Sequence, residues 1–207
     1  MTVIGFDLDM TLVDSADAIV DGIAHTCRVY GASVDEEQVR STVGLPLDQV
    51  FPDYIPHVPY AEAVEVYRGR YLSHGLAMQS LLPGALEALE AVTADGATVI
   101  VVSAKKDTHV RLVLERVGLS PYVPTVVGER FGEGKADALR EARARVYVGD
   151  HVGDVLGARS AGALAVAVAT GPTDRRALTD AGADVVLDDL TGFAGWWRGW
   201  TRREAIA

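Results

Sequence analysis

Apolar and polar positions alternate in blocks along the C-terminal part of the chain, and one pattern recurs: helical period, glycine, short β-branched run. Ala85 to Asp95 has helical period, stops at Gly96 and gives way to the apolar run Thr98 to Val102. Asp107 is placed to cap a helix through Val117 that closes at Gly118, and Val123 to Val127 follows. Asp154 to Ala161 ends at Gly162 before the run Ala163 to Ala169, and Thr173 to Ala181 ends at Gly182 before Val185 to Leu187. Glycine just past a helix supplies the left-handed residue that closes it. The runs are continuously apolar, as in strands of a parallel sheet covered by helices on both faces. With Val3 to Phe6 and Arg145 to Val148 they predict about six strands in a doubly wound, mainly parallel, Rossmann-like α/β sheet.

Residues 15–80 break this rhythm. Ala16 to Tyr30, Asp35 to Val43 and Tyr60 to His74 read as helices, Pro46, Pro52, Pro56 and Pro59 punctuate the middle, and no strand is evident. The expected organisation is therefore an α/β core of residues 1–14 and 81–207 with an all-helical cap of residues 15–80 inserted in it. Beyond residue 190 the aromatic and basic stretch Trp196-Trp197-Arg198-Gly199-Trp200 is expected to pack across an apolar groove of the core.

Composition narrows the partners. Hydrophobic residues make up 49% of the 207, enough for a core without covalent staples, and the lone Cys27 permits no internal disulfide. A reducing cytoplasm is the natural setting. A net charge of −10 would repel a phosphate backbone, so nucleic acid is not an expected partner. The first apolar run is four residues long and ends at an acidic pair, far too short for a membrane span or signal core.

The acidic residues carry the chemistry. Asp7 and Asp9 follow the first apolar strand directly, and residues two apart on an extended chain face one way, so both carboxylates address one site. In open α/β sheets ligands bind beyond the carboxyl ends of strands. Arg145 to Val148 runs into Gly149-Asp150-His151-Val152-Gly153-Asp154, which brings Asp150 to a strand end and Asp154 one loop further. Asp154 also reads as a cap of the following helix. Four aspartates at one rim repel unless a cation intervenes, and an all-oxygen donor set suits magnesium. Ser103, at the end of the Thr98 to Val102 strand, offers a hydroxyl and, with Ala104, a backbone N–H to phosphate oxygens. Lys135 opens a helix after Gly132-Glu133-Gly134, where its charge can offset both a carboxylate nucleophile and a phosphoryl group.

Taken in order, Asp7-x-Asp9-x-Thr11, Ser103, Lys135 and Gly149-Asp150-xxx-Asp154 resemble the haloacid dehalogenase superfamily, and most nearly its phosphoglycolate phosphatase-like branch with a helical cap. Leu12-Val13-Asp14-Ser15, Val43-Gly44-Leu45-Pro46-Leu47, Leu82-Pro83-Gly84 and Ala158-Arg159-Ser160-Ala161-Gly162 extend the likeness from residue 3 to about 190. Met10 stands where relatives usually carry glycine, Ser103-Ala104-Lys105 replaces a threonine-led triplet, and Lys135 lies only 15 residues before Asp150 without the usual following proline.

The resemblance implies a magnesium-dependent phosphatase acting on small phosphorylated metabolites. Asp7 would be the nucleophile and Asp9 the general acid and base. The side chains of Asp7 and Asp150 and the carbonyl of Asp9 would hold the metal, with Asp154 behind it. Ser103, Ala104 and Lys135 would bind phosphate, and the protein would be a monomer or homodimer. The aspartate two after the nucleophile separates the chain from the superfamily's dehalogenases and phosphonatases; a phosphosugar mutase would keep it. A phospho-accepting receiver domain would lack the 65-residue insertion, and a silent binding protein on this scaffold would not need every station filled. On the helical segment Arg40, Arg68 and His25 are polar candidates for substrate contact. Arg68 and Tyr71 sit where relatives often carry an arginine and a tyrosine.

Overall fold

The computed structural model describes residues 2–205; residues 1, 206 and 207, the ends of the expected core, lie outside the described residues. Six parallel strands form the main sheet: β1 (Val3–Phe6), β4 (Thr98–Val102), β5 (Thr125–Val127), β6 (Ala144–Gly149), β7 (Leu164–Val168) and β8 (Val185–Leu187), in the order β5-β4-β1-β6-β7-β8. From β1 the chain steps outward through β4 to β5, then returns to lay β6 on the other side of β1. The reversal opens a crevice beyond the carboxyl ends of β1 and β6. Phe6 is paired with Val101 of β4 and Val148 of β6, so the residues just past these three strands emerge side by side on one rim.

Both faces of the sheet are covered, which explains why its strands read as unbroken apolar runs. Ile4, Phe6, Val99, Val101, Val146, Val148, Val166 and Val168 point to one side. There they meet α5 (Ala85–Ala94), α6 (Asp107–Arg116) and the C-terminal α10 (Phe193–Glu204). Ile100, Val102, Tyr147, Ala165 and Ala167 point to the other, against α7 (Lys135–Glu141), α8 (Val152–Ala161) and α9 (Arg175–Asp180). Gly96, Gly118, Gly162 and Gly182 all have positive φ and close the helices before them.

The aromatic tail packs as expected. Phe193, Trp197 and Trp200 lie on one face of α10 and are buried, Phe193 stands 5.5 Å from the Phe6 ring, and the Trp197 indole N–H donates to Asp95 at 2.9 Å. Asp107 takes a different role from the one read in the sequence. It is the first residue of α6, and its carboxylate accepts from the Gly128 N–H at 2.7 Å, tying the helix start to the loop after β5.

Between β1 and β4 the chain forms α1 (Ala16–Val29), α2 (Glu36–Arg40), α3 (Leu47–Tyr54) and α4 (Tyr60–Ser73), none of which joins the main sheet. The segment leaves and returns through an antiparallel ribbon of two two-residue strands, β2 (Val13–Asp14) and β3 (Ser80–Leu81). Neither this ribbon nor α3, whose Pro52 lies inside the helix, is evident in the sequence pattern. Phe51, Tyr67 and Tyr71 anchor α3 and α4 in the same apolar cluster that underlies β1.

Candidate active site

The β1–β6 crevice gathers the acidic residues. Asp7 extends the ladder by one residue, its N–H donating to the Val148 carbonyl at 2.8 Å, and Asp150 follows β6. One carboxylate oxygen from each of Asp7, Asp150 and Asp154 lies within 4.8 Å of the others. Two glycines permit this crowding. A Cβ on Gly149 would lie 2.3 Å from the Asp154 carboxyl carbon, and one on Gly171, in the loop after β7, would lie 1.9 Å from Asp150 Oδ2. The Thr11 hydroxyl donates to Asp150 Oδ1 at 3.0 Å and fixes that side chain from the loop after β1.

Lys135 sits among the carboxylates with 3% of its side chain exposed. Its ammonium lies 2.6 Å from Asp154 Oδ1 and 3.1 Å from Asp7 Oδ1, and it donates to the Tyr147 hydroxyl at 3.0 Å. The Tyr147 hydroxyl in turn donates to the Val102 carbonyl at 2.7 Å, so the lysine is held from both flanking strands. Burial alone would lower the Lys135 pKa, but Asp154 and Asp7 outweigh it and hold it well above the ordinary lysine value. Asp154 Oδ2 accepts from the His151 N–H at 3.1 Å while His151 Nδ1 accepts from Gly153 N–H. His151 is thus the cap of α8, and Asp154, three residues on, reaches back to it.

Lys135 offsets these carboxylates only in part. Burial raises the Asp7 carboxyl to about 7, with Asp154 and Asp9 adding to the effect and Lys135 opposing it. Burial also pushes Asp150 well above the carboxylate range, with Asp154 and Asp7 next in importance. Asp7 Oδ1 and Asp150 Oδ2 are buried without a hydrogen-bond partner among the described residues; Asp7 Oδ1 is near the lysine but not aligned with it for a hydrogen bond. Converging, unsatisfied carboxylate oxygens are the donor set that a small hard cation takes.

Asp9 stands apart from this cluster. Its Oδ1 lies 2.9 Å from the Lys105 ammonium, with 13% and 10% of the two side chains exposed, and both line a cavity of about 400 Å³ between the α1–α4 segment and the sheet rim. Lys105 faces the helical segment, over the Tyr71 ring, while holding Asp9. Ala104, Arg68, Tyr67, Tyr71 and His109 line the same cavity, and Arg68 reaches Glu129 at 3.2 Å. Ser103 is buried beside it, its hydroxyl oxygen accepting from the Lys105 N–H at 3.2 Å. Arg40 instead pairs with Asp17 and borders a separate hollow, and His25 lines neither. Tyr147 and Gly171 are site-forming residues that the sequence reading did not single out, and the pairing of Lys105 with Asp9 was not foreseen. A glycine just past the carboxyl end of β7 was the available signal for Gly171.

The chain matches the family model described as haloacid dehalogenase-like hydrolase over residues 4–168. A phosphoglycolate phosphatase of Rhodospirillum rubrum is 32% identical over 214 residues, covering 92% of this chain and 88% of that protein. The tyrosine-protein kinase PtkA of Mycobacterium tuberculosis is 31% identical over 178 residues, covering 80% of this chain and 61% of that protein. A predicted phosphatase from Clostridium acetobutylicum superposes with a TM-score of 0.85 over 96% of this chain and 98% of its own, at 21% identity, a likeness of fold. With a family match across most of its length and relatives aligned along nearly all of it, the chain belongs to the haloacid dehalogenase-like hydrolases.

Proposed function

We propose that this protein is a phosphatase that hydrolyses small phosphate monoesters through a phospho-aspartyl intermediate on Asp7. The observation that carries the reading is the separation of two neighbouring aspartates: Asp7 turned into the Lys135 cluster, Asp9 turned to the cavity. The phosphatase relative from Rhodospirillum supports the same reaction class.

In the first step an Asp7 oxygen attacks phosphorus as the ester P–O bond breaks in line, and Asp9 gives its proton to the departing oxygen. In the second, Asp9 takes a proton from water, the oxygen of that water attacks phosphorus, and the bond to Asp7 breaks. This regenerates the Asp7 carboxylate, returns the proton to Asp9 and releases phosphate. Lys135 offsets the charge of Asp7 and of the phosphoryl oxygens, while the Ser103 hydroxyl and the Ala104 backbone receive those oxygens.

Asp7, Asp150 and the main chain of Asp9 would hold a divalent cation such as magnesium, with Asp154 orienting its surroundings. Such an ion supplies positive charge against the crowded carboxylates and the phosphoryl group. The two unpartnered buried oxygens fit that role. Residues 15–80 act in this reading as a lid whose closure keeps bulk water from the aspartyl ester. Turnover of a panel of phosphate esters, abolished by chelator and restored by magnesium, tests the reading. An Asp7→Asn variant with normal turnover would refute the nucleophile assignment.

A further inference from the structure

Lys105, with 10% of its side chain exposed, is a cation that the reaction as written does not use. Its backbone is pinned at both ends: the N–H donates to the Ser103 hydroxyl oxygen at 3.2 Å, and the carbonyl accepts from the Glu129 N–H at 3.0 Å. From this anchored main chain the side chain reaches across so that the ammonium lies 2.9 Å from Asp9 Oδ1. On its other side it lies over the Tyr71 ring, 4.5 Å from the centroid. Tyr71 belongs to α4, and its ring is stacked between Tyr67 and His109, each at 6.0 Å. Its hydroxyl is buried and has no hydrogen-bond partner among the described residues, so the side chain is held by its ring rather than by its oxygen. The three groups form one line from the core loop to the helical segment: Asp9, Lys105, Tyr71.

We propose that Lys105 is a positioning residue that fixes the Asp9 carboxylate toward the leaving-group side of the cavity, with the Tyr71 ring of α4 holding Lys105 in that pose. The proposal rests on the function proposed above and adds no bond change to it; the proton still passes between Asp9 and the leaving oxygen or water. The physical ground is geometric. An aspartate without a fixed partner has rotamers that point away from a substrate, and misplacement of a proton donor by an ångström is costly. Here the carboxylate has one close cationic partner, and a face of that partner is covered by a residue 34 positions earlier in the chain, on the helix that closes the cavity. Asp9 is thereby set only when α4 lies over the rim. Lys106, adjacent in sequence, lines the cavity with no ion pair among the described residues and serves as the control.

The test compares Lys105→Met, Lys105→Arg, Tyr71→Leu, Lys106→Met, Asp9→Asn and the Asp9→Asn/Lys105→Met double variant on an alkyl phosphate and on p-nitrophenyl phosphate. A nitrophenolate leaves without a proton, so in the first step, which kcat/KM reports, a residue acting through Asp9 affects the alkyl ester selectively; the second step is common to both esters. Lys105→Met should lower kcat/KM on the alkyl ester by about tenfold or more while changing kcat/KM on the aryl ester by less than about threefold. Lys105→Arg should recover most of the loss, Tyr71→Leu should show a smaller loss of the same selectivity, and Lys106→Met, even where it weakens binding, should change both esters alike. The double variant should be no slower than Asp9→Asn alone. Equal losses on both esters, or additive losses in the double variant, would overturn the proposal. Crystal structures of Lys105→Met and Lys105→Arg give a readout independent of turnover. Asp9 should leave its wild-type rotamer in the first and keep it in the second, and an unmoved, well-ordered Asp9 in Lys105→Met would refute positioning. If the wild-type protein hydrolysed no ester, the function reading would fail while this structural arm still decided the role of Lys105.

Discussion

Replacing Lys135 by methionine removes the one cation buried among Asp7, Asp150 and Asp154. At 2.6 and 3.1 Å from two carboxylates, its gross attraction is roughly 5–6 kcal/mol per pair at an effective dielectric of about 20. Desolvation cancels much of this. Removing one partner of a buried pair typically costs about 3–5 kcal/mol because the other charge is left uncompensated. The loss should depend on pH, and its sign follows from the carboxylates. Asp7 in the folded protein is raised from 3.8 to about 7, so the stability that goes with its neutral form is full below 3.8 and is lost as pH rises toward 7. Without Lys135, which opposes that shift, the neutral form persists to higher pH and the decline steepens. Urea unfolding in the presence of chelator should therefore show Lys135→Met destabilised by about 3–5 kcal/mol at pH 8.5 and by roughly half of that at pH 5.5. A loss that is the same at both pH values, or below about 1 kcal/mol at pH 8.5, would refute the view that Lys135 acts by offsetting the buried carboxylates.

Other perturbations separate the remaining parts of the account. Asp9→Asn should lower kcat/KM for alkyl phosphates by ~10²–10⁴-fold and for aryl phosphates far less, and equal losses in kcat/KM would make Asp9 a structural residue. Gly171→Ala puts a methyl against Asp150 Oδ2, so magnesium affinity by calorimetry should fall by about tenfold or more. Gly134→Ala, with nothing within 4 Å of the added carbon, should leave that affinity unchanged. Burial, aided by Lys105, Arg68 and Lys106, lowers the His109 imidazole to about 4, so the unfolded chain takes up its proton first and stability falls as pH drops from 6.5 toward 4. His109→Gln should remove about 2 kcal/mol of that acid-side loss, read as the difference between urea unfolding at pH 7 and pH 4.5.

The sheet was legible because its strands are buried on both faces, so β4, β6 and β7 stand out as apolar runs without alternation. The positions of Asp7 and Asp150 followed from the same fact, since a carboxylate just past such a run must lie at the rim. What stayed hidden depends on contacts distant in sequence. Lys105 at the mouth of a loop after a strand is compatible with a solvated pose or one facing the helical segment, and only α4, folded back over the rim, decides for the second by packing it against Asp9 and Tyr71. The β2–β3 ribbon is two residues on each side, too short for any period to register. Asp154 read as a plausible helix cap because it does bond to the start of α8, but from the third position, which frees its other oxygen for Lys135. In α10 the spacing of Phe193, Trp197 and Trp200 marks one helical face, and that period was present in the sequence to be read.

The central claim is that Asp7 carries the phosphoryl group during turnover. Rapid quenching in acid of the protein turning over an aryl phosphate monoester with magnesium, followed by reduction with borohydride and peptide mass spectrometry, tests it most directly. The account predicts trapped modification at Asp7, abolished in Asp7→Asn and retained in Asp9→Asn, whose intermediate should persist because water is no longer deprotonated. Steady hydrolysis with no label at Asp7, or with the label on another residue, would contradict it.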